Sequence, residues 1–214
     1  MKKQNMSANP MRDIKIPDGS KLWFTSDTHF WHQNIIRWCA RPWETASEMN
    51  DAMVDLWNSE VPKDADVWHL GDFCFAGAAQ WKDLRDRLNG HIHLVLGNHD
   101  GVASGPMLSL FDSIHPGIAH LRVENQQEIW LSHFPLLCWT GCSRGAWNLF
   151  GHVHTMATDP QLGEDSGRVS SCRLWNQYDV GVDQNHYKPV SYSYLKTIIK
   201  DDRENQRTDG AQTP

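Results

Sequence analysis

The residues of this chain best suited to chemistry fall in five short clusters, each interrupting an apolar run. They are Asp27-Thr28-His29, Gly71-Asp72, Gly97-Asn98-His99-Asp100, His133 and Gly151-His152-Val153-His154. Together they offer two Asp, one Asn and four His as metal ligands, with one further His left for proton transfer. That donor set suffices for two divalent cations sharing one carboxylate. A hydrophobic core has no use for it, because buried polar groups cost free energy unless they are paired.

Asp27 and His29 flank a single residue. At a strand end, side chains at i and i+2 share a face, so both can reach one cation. Asp72 has two oxygens and can bridge two cations, while Asn98 completes a coordination shell without adding charge. His133, His152 and His154 supply imidazole nitrogens, and the last two repeat the i, i+2 geometry. Mixed nitrogen and oxygen donors without thiolate suit Mn, Fe, Zn or Ni. Gly71, Gly97 and Gly151 fit turns where backbone passes close to the metals.

The elements that position these clusters follow from the apolar pattern. Lys21 to Ser26 reads as a buried strand ending at Asp27, and Asp66 to Leu70 as a second ending at Gly71-Asp72. A third begins with Ile92, Leu94 and Leu96 and runs into Gly97-Asn98-His99-Asp100. Between the first two strands lie a short helical patch from Asn34 to Ala40 and a longer helix. The longer helix is N-capped by Ser47 and has Met49, Met53, Leu56 and Trp57 on one face. Trp81, Leu84 and Leu88 mark a further helix, ended by Asn89-Gly90. Strand–helix–strand units of this kind place ligand sites at the C-terminal edge of a parallel sheet. The second half reads as more β-rich. Ile118–Val123 and Glu128–Leu131 form a hairpin, with later strands at Trp147–Phe150 and Tyr178–Val182, a loop from Asp159 to Gly167, and a final helix from Tyr192 to Lys200.

The ordered set Asp-x-His, Gly-Asp, Gly-Asn-His-Asp, His and Gly-His-x-His resembles the calcineurin-like metallophosphoesterases over about residues 21–200. The stretch Thr25 to Ile36 is similar to a small bacterial and phage branch of that family. The resemblance implies an α/β fold, a four-layer α/β/β/α sandwich with two mixed sheets. It implies one metal on Asp27, His29, Asp72 and His154 and a second on Asp72, Asn98, His133 and His152, with Asp100 orienting His99. It also implies hydrolysis of phosphodiester or phosphomonoester bonds, with a nucleotide-like substrate. Two metals about 4 Å apart clamp phosphoryl oxygens and generate a bridging hydroxide that attacks phosphorus. His99 would then donate a proton to the leaving oxygen. His32 and Arg144 are candidate contacts to substrate phosphate.

The remaining composition narrows the alternatives. A net charge of −6 disfavours duplex nucleic acid as a partner, though bound metals leave a single-strand nuclease open. A vestigial metal-binding scaffold would have lost a ligand or His99, and neither is lost. A redox di-iron protein would need a more carboxylate-rich shell. No run is long enough for a membrane span, and five scattered cysteines suit reduced thiols in the cytoplasm. His69, His91, His93, His120 and His186 read as ordinary core or surface residues. Most of the eleven tryptophans read as core or rim packing, and of Trp31, Trp43, Trp139 and Trp147, which lie near the polar clusters in sequence, one or two are candidates to wall the cleft and stack on an aromatic substrate group. The organisation expected is a loose arm over 1–19, one catalytic domain over 20–200 and a disordered tail over 201–214. Oligomeric state is not legible at this level.

Overall fold

The computed structural model of the protein describes residues 13–102, 105–124, 126–154 and 167–210, with Val102 and 205–210 as backbone only. In chain order the first half contains β1 (Ile14–Ile16), β2 (Leu22–Thr25), α1 (Gln33–Trp38) and α2 (Ala46–Glu60). β3 (Asp66–His69), α3 (Ala78–Arg87), β4 (His91–Val95), α4 (Gly105–Leu108) and β5 (Ser113–His115) follow. The second half contains β6 (Ile118–Val123), β7 (Gln127–Ser132), β8 (Trp147–Phe150) and a helix α5 over 167–172. β9 (Gln177–Asp179), β10 (Val190–Ser191) and α6 (Tyr192–Gly210) complete it.

The strands form two mixed five-stranded sheets, ordered β1-β6-β7-β8-β9 and β10-β2-β3-β4-β5. In the second sheet β2 to β5 run parallel and β10 is antiparallel to β2. The first sheet holds the antiparallel β6–β7 hairpin, flanked by parallel pairs on either side. The parallel order puts the ends of β2, β3 and β4 at one edge, and those of β7, β8 and β9 at one edge of the other sheet.

Period-2 burial explains why the sheets stack. Leu22, Phe24, Trp68 and Val95 face Leu121, Val123, Ile129, Leu131 and Leu149 in one apolar cluster. Phe24 is fully buried there, and its truncation to Ala would cost about 3–5 kcal/mol, a large share of the roughly 5–15 kcal/mol that holds a domain folded. Alternate residues Val67, Ile92 and Leu94 point to the opposite face, where Ile35, Met49, Met53, Trp57, Trp81 and Leu84 of α1, α2 and α3 cover them. On the outer face of the first sheet, Trp130 packs with Trp139 and Ala146 of the β7–β8 connection. The result is a mixed α/β sandwich.

Several expectations need correction. The N-cap of α2 is Thr45, not Ser47: the Glu48 N–H donates to Thr45 Oγ1 (3.2 Å), matching the Thr-x-x-Glu capping spacing. Leu56 lies half-buried beside the fully covered Met49, Met53 and Trp57. The arm expected over 1–19 does not extend that far. Ile14 and Ile16 form β1, paired parallel with Leu121 and Val123, and residues 1–12 lie outside the described ones. The tail expected from 201 is helical to Gly210. Polar residues hold that extension without apolar periodicity. Lys200 pairs with Glu204 (3.9 Å), Asp202 with Arg173 (3.3 Å), and the Arg203 guanidinium lies 5.0 Å from the Trp175 ring centre. Most of the expected Asp159–Gly167 loop lies outside the described residues.

Candidate metal centre

Where the strands stop, backbone pairing continues for a few residues and gathers the clusters. The N–H groups of Asp27 and His29 donate to the carbonyls of Gly71 and Asp72, each at 3.0 Å. Val182 N–H donates to Ser26 O (3.1 Å), and Ser26 and Gly181 form a parallel bridge that ties the two sheets together. The loops after β2, β3, β4, β7 and β8 therefore meet at one corner.

The backbone at this corner is unusual. Asp27 (φ 57°), His29 (49°), Asp72 (58°), His152 (72°) and His154 (42°) all sit in the left-handed region. Side-chain-bearing residues rarely adopt it, and such strain persists only where surrounding structure enforces it. Close approach explains two of the glycines. A Cβ on Gly151 would lie 2.3 Å from Asp27 Oδ2, and one on Gly97 would lie 2.3 Å from Asp72 Oδ1.

Donor atoms of Asp27, His29 and His154 lie within 4.8 Å of one another, as do those of Asp27, Asp72 and His133. His29 Nε2 is 3.6 Å and His133 Nε2 3.5 Å from Asp72 Oδ2, so this one oxygen stands between the two groups. Each imidazole is aimed by its far nitrogen. His133 Nδ1 donates to Leu70 O (2.7 Å), His154 Nδ1 meets Asp183 Oδ2 (2.8 Å) and His29 Nδ1 meets His32 Nδ1 (3.3 Å). Nε2 of each ring is thereby turned toward the carboxylates, and His133 Nε2 also faces Asn98 Oδ1 at 2.7 Å. The His152 ring lies 5.1 Å from that of His133, and the backbone N–H of His152 donates to Asp27 Oδ2 (2.8 Å).

Asp27 Oδ1 and His29 Nε2 are buried and have no hydrogen-bond partner. An unpartnered buried carboxylate oxygen beside an unpartnered imidazole nitrogen costs free energy that a cation would recover. The residues present therefore fit divalent metal, and these buried groups could bind metal ions.

The electrostatics agree. Burial, reinforced by the Asp27 carboxylate, pushes Asp72 up to about 7. Burial also holds His29 well below the ordinary histidine value, helped by His154 and Arg41, so its lone pair is free at neutral pH. Burial alone would lower His154, but the bonds to Asp183 and Cys39 outweigh it and hold His154 well above its ordinary value. Asp72 and His154 thus hold a proton more readily than usual, and a cation bound here would displace it.

The other expected residues are distributed unevenly. The half-exposed His99 ring has Nε2 3.9 Å from Asp72 Oδ2, and burial and His133 hold it below the usual value. Asp100 does not orient His99. Its carboxylate accepts the N–H groups of Asp72, Phe73 and Gly97, so it builds the turn instead. His32 backs His29 and stacks on Phe75 at 4.1 Å, and burial lowers it to about 4. Arg144 does not belong to the centre. After His133 the chain returns to start β8 parallel to β7, so Arg144 lines a cleft with Gln127 and Trp147, at the opposite ends of those strands.

Three of the four expected tryptophans pack elsewhere, while Trp38, not among them, lies edge-on to His32 at 5.3 Å. Trp147 is in the intersheet core, Trp139 covers the outer face of the first sheet and Trp43 packs on Tyr187. Trp31 is partly exposed, with its backbone N–H donating to Asn50 Oδ1. The rings bordering the centre are Phe75 and Phe134. Both are exposed, with Phe75 against His29 and His99 and Phe134 against His152 (4.3 Å). A cleft of about 360 Å³ opens beside it, lined by Cys74, Phe75, Ala76, Asn98, His99 and Gly101. Sequence reasoning also missed Arg41 and Asp183. All five cysteines are free, and no helix among the described residues is long and apolar enough to cross a membrane.

Fold and site together define an α/β sandwich protein with a buried carboxylate–imidazole centre at its strand ends. The gene 66 protein of Mycobacterium phage D29 is 32% identical over 162 residues, 64% of this chain and 79% of the relative. The chain belongs to the family of that phage gene 66 protein. The uncharacterized protein MJ1445 of Methanocaldococcus jannaschii is 29% identical over 182 residues, 84% of this chain and 92% of its own length. Among solved structures, the protein of unknown function AQ665 from Aquifex aeolicus superposes with a TM-score of 0.64. It is 22% identical and covers 83% of this chain and 98% of its own, a likeness of fold. A much looser superposition, with a TM-score of 0.39, is with the nuclease MPE of Pseudomonas putida and carries no information on activity. No family model matches the chain.

Proposed function

We propose that this chain is a metal-dependent phosphoesterase of the calcineurin-like kind, with two divalent cations and a nucleotide-like substrate. The observation that carries the reading is the pair of unpartnered buried atoms, Asp27 Oδ1 and His29 Nε2, facing the same space as His154, Asp72 and His133. Asp27, His29, Asp72 and His154 would hold one cation, and Asp72, Asn98, His133 and His152 the other. Mn, Fe, Zn and Ni all suit these donors.

When bound, such a pair supplies Lewis acidity toward phosphoryl oxygens and lowers the pKa of water. The chain's own residues do the rest. His99 stands half-exposed between Asp72 and the cleft, where its Nε2 can pass a proton to a departing alkoxide. Phe75 gives the cleft an apolar wall on which a planar leaving group can stack. The complete donor set argues for turnover rather than a vestigial scaffold.

The test is a hydrolysis screen with Mn, Ni, Zn and Mg. It compares bis- and mono-p-nitrophenyl phosphate, cyclic nucleotides and single-stranded DNA. Metal-dependent turnover of at least one ester is expected, and the absence of turnover with every metal sinks the reading.

A further inference from the structure

Arg41 and Asp183 form a buried ion pair, with side-chain exposures of 0% and 2%. Such a pair seldom stabilises a fold more than well-packed apolar side chains would, so its presence beside the metal donors asks for a reason. The contacts supply one. Arg41 Nε donates to Asp183 Oδ1 (2.8 Å), and Nη2 donates to Asp183 Oδ2 (3.0 Å) and to Asp27 O (2.8 Å). Nη1 donates to Thr28 O (2.8 Å). Asp183 Oδ2 in turn meets His154 Nδ1 at 2.8 Å. One guanidinium thus fixes the left-handed backbone of Asp27 and, through one carboxylate, the ring of His154. His154 belongs to one metal-ligand group and Asp27 to both, and none of these contacts is made to His133, Asn98 or His152 themselves.

We propose that Arg41 and Asp183 are positioning residues that set the affinity of one cation position, the one built on Asp27, His29 and His154, far more than that of the position built on His133 and Asn98, whose histidine and amide they do not contact. The proposal rests on the dinuclear reading above. Outer partners of ligating histidines are worth roughly 10–100-fold in metal affinity. The planar fork matters as well as the charge, because a lysine ammonium cannot hold two carboxylate oxygens and two carbonyls at once.

The experiment is equilibrium dialysis of the full-length chain against Mn(II), with bound metal counted by mass spectrometry, for wild type, Arg41→Lys, Arg41→Met and Asp183→Asn. The wild type is expected to bind two equivalents. Each variant is expected to keep one near wild-type affinity and bind the other roughly 10–100-fold more weakly. Circular dichroism of the metal-free variants checks folding, and if Arg41→Met does not fold, Arg41→Lys and Asp183→Asn carry the test. Two unaltered equivalents, or two equally weakened, overturn the proposal while leaving the dinuclear reading intact. A wild-type chain that binds no Mn(II) overturns both.

Discussion

Asp100 Oδ2 accepts the N–H of Asp72 and the N–H of Gly97, each at 2.8 Å. One carboxylate oxygen therefore clasps the loop after β3 to the loop after β4, and the other takes Phe73 N–H at 3.0 Å. Asp72 and Asn98, which the dinuclear scheme places on one cation, ride on those two loops. Their separation is set by a group that touches neither side chain.

Asp100→Asn should accordingly weaken the framework rather than the chemistry. An amide offers one acceptor oxygen where the carboxylate offers two, so at least one buried N–H loses a charge-assisted partner. The expected loss is about 1–3 kcal/mol by urea unfolding, with and without metal. An unchanged midpoint in both conditions would contradict the assignment.

His99→Ala should retain both cations and lose about 10²–10⁴ in turnover on substrates with poor leaving groups. On a p-nitrophenyl ester, which needs little protonation to depart, the loss should be far smaller. Comparing the two leaving groups checks the role, since equal losses would point to ground-state binding instead.

Asp72 carries a pH dependence of definite sign. Its folded value, about 7, is raised above the ordinary 3.8 in the metal-free chain. A raised carboxyl contributes stability that is fully present below its unfolded value and disappears as pH rises through the folded one. Metal-free wild type should therefore lose stability relative to Asp72→Asn between about pH 4 and pH 7. Over the same interval its metal affinity should rise, because the proton competes with the cation. Parallel pH titrations of unfolding and of metal uptake check both arms.

Gly151→Ala places a methyl group 2.1 Å from Ser26 Oγ and 2.3 Å from Asp27 Oδ2. Neither neighbour can yield freely, since Ser26 Oγ donates to Leu70 O and Asp27 Oδ2 accepts the N–H of His152. About 1–3 kcal/mol of destabilisation is expected from overpacking, together with weaker metal binding through the displaced carboxylate. Thermal unfolding and Mn(II) dialysis read the two effects separately.

How far the letters reach is visible in particular residues. Asp27, Asp72 and Asn98 were legible because each closes an apolar strand within a residue or two and strand ends in parallel units converge, whereas His133, after a hairpin strand, was legible from its place in the ordered set of motifs. Arg41 and Asp183 were not, because a lone Arg before Pro42 and a lone Asp 142 positions away carry no shared local pattern. Asp100 was legible as important and misread in role, since text does not show whether a carboxylate faces a ring or a backbone. The continuation of α6 past Lys200 escaped an apolar criterion because ion pairs and a cation–ring contact hold it. The aromatic border fell to Phe75 and Phe134 rather than to tryptophan, a choice made by loop paths that only the fold displays.

The bridge between Ser26 and Gly181 has a mechanical consequence. It stands at the seam where the strand ends of both sheets meet. Asp27, His29, Asp72 and Asn98 come from one side of that seam and His133, His152 and His154 from the other. A cation held here would join the two sheets as a rivet joins two plates, adding its binding free energy to the apolar contacts between them.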